Sequence, residues 1–163
     1  MEPVDFVRSA LIGIGATAVL DAWLALLKQF GVQGLNFAFL GRWVGHVFRG
    51  EFTQPAMAKA TPVHRELALG WFSHYAIGVA FAGLLIAVQG TAWLQNPALS
   101  SAMLIGVCTV AAPLLIMQPA MGAGFFASRT PTPLKNCLRS IINHSIFGAG
   151  LYVSAVVVNL VSR

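Results

Sequence analysis

Apolar positions in this chain fall into four long runs, at residues 6–27, 69–88, 98–117 and 138–160. A helix crosses ~30 Å of hydrocarbon with about 20 mostly apolar residues. Each run therefore predicts a transmembrane helix, and together they predict an all-α, four-helix membrane bundle forming one domain over residues 1–163. Helix breakers separate the runs: Gly31, Gly34 and Gly41 after the first, Gly90, Asn96 and Pro97 after the second, Pro119, Pro131 and Pro133 after the third. Pro113 falls inside the third run, where a kink is expected.

The first loop carries a second pattern. Phe37, Leu40, Val44, Val47 and Phe48 recur at helical spacing, with Arg42, His46 and Arg49 on another face. This predicts an interfacial helix over residues 35–50, either with its basic face toward anionic lipid or packed across the mouth of the bundle.

Composition agrees with the pattern. Hydrophobic residues make up 57% of the 163 and charged residues 9%. A soluble fold of this length has too little interior to hide that much apolar surface. The net charge of +5 lies outside the runs, so it is read as topology and headgroup contact, with no nucleic-acid partner. Of ten Lys and Arg, eight flank or occupy the first and third loops: Lys28, Arg42, Arg49, Lys59, Arg65, Arg129, Lys135 and Arg139. Their excess predicts cytoplasmic loops and both termini on the periplasmic side of a bacterial-type inner membrane. The N-terminal stretch carries Glu2 and Asp5 and no basic leader, so the first run is expected to be retained as a span. Cys108 and Cys137 are expected at different depths and unbridged.

Ionisable groups are costly in hydrocarbon and usually face a bundle interior. Asp21, His74 and His144 each lie seven residues, ~10 Å, from the expected inner end of a span. Asn143 adjoins His144, and Gln118 closes the third run. Small and polar stripes accompany them: Ser9, Gly13, Thr17 and Asp21 on the first span; His74, Gly78 and Ala82 on the second; Asn136, Ser140, Asn143/His144 and Gly148 on the fourth. The layer could be a site for protons, an ion or a small substrate, or interhelical hydrogen bonding alone. One carboxylate and two imidazoles could also hold a transition metal, but no local ligand motif accompanies them, so no cofactor is assigned. Serine-nucleophile, zinc-protease and nucleotide-phosphate motifs are absent, and Asp21 is the lone acid in the four runs. No catalytic residue is assigned.

The third loop, QPAMGAGFFASRTPTPLKN, combines glycines, Phe125, Phe126, Arg129 and Lys135. With Arg42 and Arg49, Arg129 and Lys135 are the candidates for headgroup or anion contact. This loop, with GIGATAVLDAW, GWFSHYAIG and NHSIFGAGLY in the first, second and fourth spans, resembles the bacterial inner-membrane family called domain of unknown function 2938. The resemblance covers nearly the whole chain and implies architecture without an activity. Three functions stay open. A small transporter or ligand-binding unit, with no substrate assigned and expected to act as an oligomer, would use Asp21, His74 and His144. A membrane subunit or assembly factor would meet a partner through its loops. An intramembrane enzyme on lipid headgroups would use His74 or His144 as base beside Arg129.

Overall fold

The computed structural model describes residues 2–32 and 34–162. The elements, in chain order, are α1 (Pro3–Gln29), α2 (Phe37–Val47), a 3-10 turn (Met57–Lys59), α3 (Glu66–Gln89), α4 (Ala92–Gln95), α5 (Leu99–Cys108), a π-helical segment (Ala112–Met117), α6 (Gln118–Ala120), a second 3-10 turn (Phe125–Ala127) and α7 (Pro133–Val161). Among the described residues there is no strand. Four helical stretches are long and apolar enough to cross a membrane: Pro3–Gln29, Glu66–Gln89, Leu99–Ala120 and Pro133–Val161. That is compatible with a multi-pass membrane protein.

Local chemistry sets the boundaries. Pro3 opens α1, where its missing N–H costs nothing, and the Asp5 carboxylate accepts from the Glu2 backbone N–H at 3.0 Å. The Asn36 side chain caps α2 by accepting from the backbone of Ala38 and Phe39. Helices α3 and α7 extend several residues beyond the apolar runs, because Glu66 and Pro133 can start a helix in polar surroundings.

The third span departs from a simple kink. Its α-helix stops at Cys108 and resumes as a π-helical turn from Ala112. Pro113 has no N–H for the Thr109 carbonyl, and its ring crowds that carbonyl. The break therefore falls one turn before the proline, and the Thr109 hydroxyl donates back to the Gly106 carbonyl at 2.6 Å.

The chain divides into two compact units. Unit 1 is Met1–Gly34, Tyr75–Thr109 and Asn143–Arg163; unit 2 is Leu35–His74 and Val110–Ile142. The interior of unit 1 is built on small residues. A Cβ added at Gly13 would lie 2.6 Å from the Val79 backbone, and one at Gly106 would lie 2.5 Å from Gly148. These approaches bring α1 against α3 and α5 against α7, closing over Ile12, Ala16, Leu85 and Leu151.

In unit 2, α2 crosses the first turns of α3 just as closely: a Cβ at Gly41 would meet the Glu66 carbonyl at 1.8 Å. This contact turns basic residues inward, against the alternative of a basic face toward lipid. Arg42 and His46 are buried, whereas Phe48 is 81% exposed. The amphipathic pattern marks a helix packed on α3, with both of its basic side chains, Arg42 and His46, turned inward.

Candidate functional site in the spans

In unit 1 the polar residues of the spans meet in pairs. Asp21 lies on α1, and Tyr75 donates its phenolic O–H to the Asp21 carboxylate at 2.9 Å. Two residues further along α1, the Trp23 indole N–H donates to the Asn143 side-chain carbonyl at 3.2 Å. On α7, His144 Nδ1 lies 2.9 Å from the Thr109 hydroxyl. The Phe81 ring of α3 stands 6.2 Å from the His144 ring and 6.1 Å from that of Phe147. Helices α1, α3 and α7 are thus tied to one another pairwise, and α5 is tied to α7.

The Thr109 pair fixes a tautomer. A hydroxyl has one proton to give, and that of Thr109 goes to the Gly106 carbonyl. Toward His144 it accepts, so Nδ1 carries the hydrogen and Nε2 of the neutral ring keeps its lone pair. Asn143 is 5% exposed, and Asp21 and His144 are half-buried. The stripe that leads to Asp21 is buried at Ser9, Gly13 and Thr17.

The remaining expected site residues lie in unit 2. His74 sits beside Phe37 and Trp71, with ring centroids 4.8 Å and 6.0 Å away. Gln118 opens α6, and its buried Oε1 has no donor among the described residues. Of the expected layer, Asp21, Asn143 and His144 belong to unit 1 and His74 and Gln118 to unit 2. Among the described residues no group of three or more His, Cys, Asp or Glu side chains is placed to hold a metal ion. Cys108 and Cys137 are free thiols.

Arg42 is the clearest correction among the expected anion contacts. It is 9% exposed, and its fork pairs with Glu66 through Nε at 2.8 Å and Nη2 at 2.7 Å. Its Nη1 donates to the carbonyls of Met57 and Ala60. A guanidinium with that many protein acceptors has little left for a lipid headgroup. The Glu66 hydrogen bond holds Arg42 still more firmly protonated than usual. His46 is likewise engaged, with Nδ1 on Glu51 and Nε2 on the Thr61 carbonyl. Arg49, Arg129 and Lys135 are exposed.

Sequence reasoning missed five partners: Trp23, Glu51, Glu66, Tyr75 and Thr109. Only Tyr75 carried a local signal, since it is the neighbour of a residue already singled out.

Comparison with known proteins adds a family and no activity. No curated protein and no solved structure matches the chain. A family model described as "Protein of unknown function (DUF2938)" matches residues 10–158, which takes in all four spans and both long loops. The chain belongs to the DUF2938 family.

Proposed function

We propose that this protein is a small transporter or ligand-binding unit of a bacterial inner membrane, with both termini periplasmic, and that Asp21 with Tyr75 takes up a proton or a cationic group. One observation carries the reading. Asp21, a half-buried carboxylate within a span, accepts a hydrogen bond from the Tyr75 phenol. A phenol supports a carboxylate without cancelling its charge. His144, whose Nε2 keeps its lone pair, is the candidate relay, and the adjoining Asn143 is held in place by Trp23.

The test is infrared difference spectroscopy on the full chain in proteoliposomes, stepping the pH and reading the carboxylic C=O band. Wild type shows a band that vanishes in Asp21→Asn and shifts in Tyr75→Phe. Proton flux into the same vesicles, read with a trapped pH dye, falls to the protein-free rate in Asp21→Asn. Unaltered flux in a folded Asp21→Asn protein overturns the proposal.

A second reading has its own support. Trp23–Asn143 and Thr109–His144 are the kind of interhelical bonds that fix packing. On that reading the protein is a membrane subunit or assembly factor, and Asp21→Asn leaves its cellular role intact.

A further inference from the structure

We infer that the turn between the third and fourth spans is an anionic-lipid clasp, which inserts Phe125 and Phe126 among acyl chains while Arg129 and Lys135 hold phosphate headgroups. This lies apart from the Asp21 layer and does not depend on it.

Four observations converge on the turn. The third span ends at Ala120 and the fourth begins at Pro133. The connection is residues 121–132 alone, a short link that includes the 3-10 turn Phe125–Ala127. Phe125 is 60% and Phe126 55% exposed, and Leu134 and Leu138 extend the apolar patch on the first turns of α7 at 72% and 51%.

The backbone holds them there under strain. Phe126 and Ala127 are consecutive left-handed residues, at φ 53° and 58°, a conformation that side chains other than glycine rarely adopt. The strained turn is pinned from several sides. Arg129 N–H donates to the Ala123 carbonyl, Thr130 Oγ1 to the Ala127 carbonyl and Cys137 Sγ to the Phe126 carbonyl. Asn136 Nδ2 donates to Thr130 Oγ1. A flexible loop would relax; this one is built to keep two phenyl rings outward.

Charge then selects the occupant. By sequence, unit 1 has Arg8, Lys28 and Arg163 against Glu2, Asp5 and Asp21, so the chain's surplus of +5 belongs to unit 2. No Asp or Glu follows Glu66 in the chain. The two carboxylates of unit 2 are already engaged, Glu66 by Arg42 and Glu51 by His46. Arg129 and Lys135 are exposed and have no side-chain hydrogen bond or ion pair within unit 2 among the described residues. They are left available to an anionic group outside it. Exposed aromatic rings beside exposed cations at a membrane surface match an anionic phospholipid.

The full chain, delipidated in detergent, is titrated with phosphatidylglycerol and with phosphatidylcholine, and bound lipid is read by native mass spectrometry. Phosphatidylglycerol is expected to bind the more tightly. Arg129→Gln with Lys135→Gln should weaken it on the order of thirtyfold, the effect of two basic residues at a surface. Lys59→Gln with Arg65→Gln removes the same charge from the same unit outside residues 121–138, and should change binding less than threefold.

Phe126→Gly relieves the strain and removes one ring, so it should weaken lipid binding while leaving thermal unfolding unchanged or higher. Equal losses from the two charge pairs, equal retention of the two lipids, or displacement by inorganic phosphate at equal concentration would each overturn the clasp. A photo-crosslinker at position 125 in native membranes should label lipid; a discrete protein adduct there overturns the lipid assignment.

Discussion

Replacing Arg42 by methionine tests whether unit 2 is organised by its paired charges. The substitution keeps much of the stem that packs beneath α2 and deletes the fork. Glu66 then keeps the Val63 N–H at 3.1 Å but loses two charge-assisted bonds. The Met57 and Ala60 carbonyls lose a shared donor as well. Stranding one partner of a fully buried pair costs about 3–5 kcal/mol. Here the two side chains keep 11% and 19% of their surface, so water screens part of that cost. A loss of about 2–3 kcal/mol is expected. Arg42→Lys retains the charge without the bidentate geometry and should cost about 1–2 kcal/mol.

Adding Glu66→Leu to Arg42→Met should restore part of the stability, because no carboxylate is then left alone. Thermal unfolding of the full chain in detergent, followed by tryptophan fluorescence, reads the cost. Tryptic cleavage at Lys59 reads it locally, since Arg42 holds the turn on either side of that residue. Arg42→Met with stability within about 0.5 kcal/mol of wild type, and with Lys59 no more accessible, would show that the pair does not organise this unit.

Four further outcomes follow from the same geometry. Gly41→Ala should cost about 2–3 kcal/mol, since its Cβ would lie 1.8 Å from the Glu66 carbonyl, whereas Gly83→Ala, with nothing within 4 Å, should stabilise α3 by about 0.5–1 kcal/mol. Thr109→Val removes the acceptor for His144 Nδ1–H and should shift the nitrogen resonances of that ring without unfolding the chain. The His46 ring holds the Glu51 carboxyl below its ordinary range, so its contribution is present at neutral pH and is lost as pH falls through the lowered folded value. Hydrogen exchange over residues 51–61 should therefore accelerate in acid beyond the intrinsic rate, and Glu51→Gln should abolish that dependence. For orientation, Lys59→Cys should resist an impermeant thiol reagent added to intact cells and Ser162→Cys should react; the opposite pattern refutes the assigned topology.

The four spans were legible because hydropathy over twenty residues is a sum, and a sum tolerates local errors. The facing of α2 was less so. Its apolar residues and its basic residues both recur at helical spacing, and periodicity reports two faces without saying which is inside. The decision rests on Gly41 and Gly70. Their missing side chains let α2 approach α3 until Arg42 reaches Glu66, twenty-four residues away in the chain. Nothing local in either residue announces that pairing. The break at Thr109 was half legible, since Pro113 announces a disturbance while the carbonyl it displaces lies four residues earlier.

The Asp21 layer raises a finer ambiguity. On a helix of 3.6 residues per turn, spacings of three and of four lie nearly equally close to one face. His74, Gly78 and Ala82 form a stripe by steps of four; Tyr75, Gly78 and Ala82 form one by steps of three and four. Both run through the same buried pair, Gly78 and Ala82. Ionisability favoured His74, because an imidazole in a span looks costlier than a phenol. Within unit 1 the Tyr75 phenol also donates to the carboxylate, a partner that ionisability does not pick out. The phenol donates one strong hydrogen bond and brings its own apolar ring into the span, without itself neutralising the carboxylate. Tyr75→Phe separates these contributions, since it keeps the ring and removes only the donor. If Asp21 is a working group, that variant folds normally and alters proton uptake; if the pair is packing alone, it costs about 1 kcal/mol and alters nothing else.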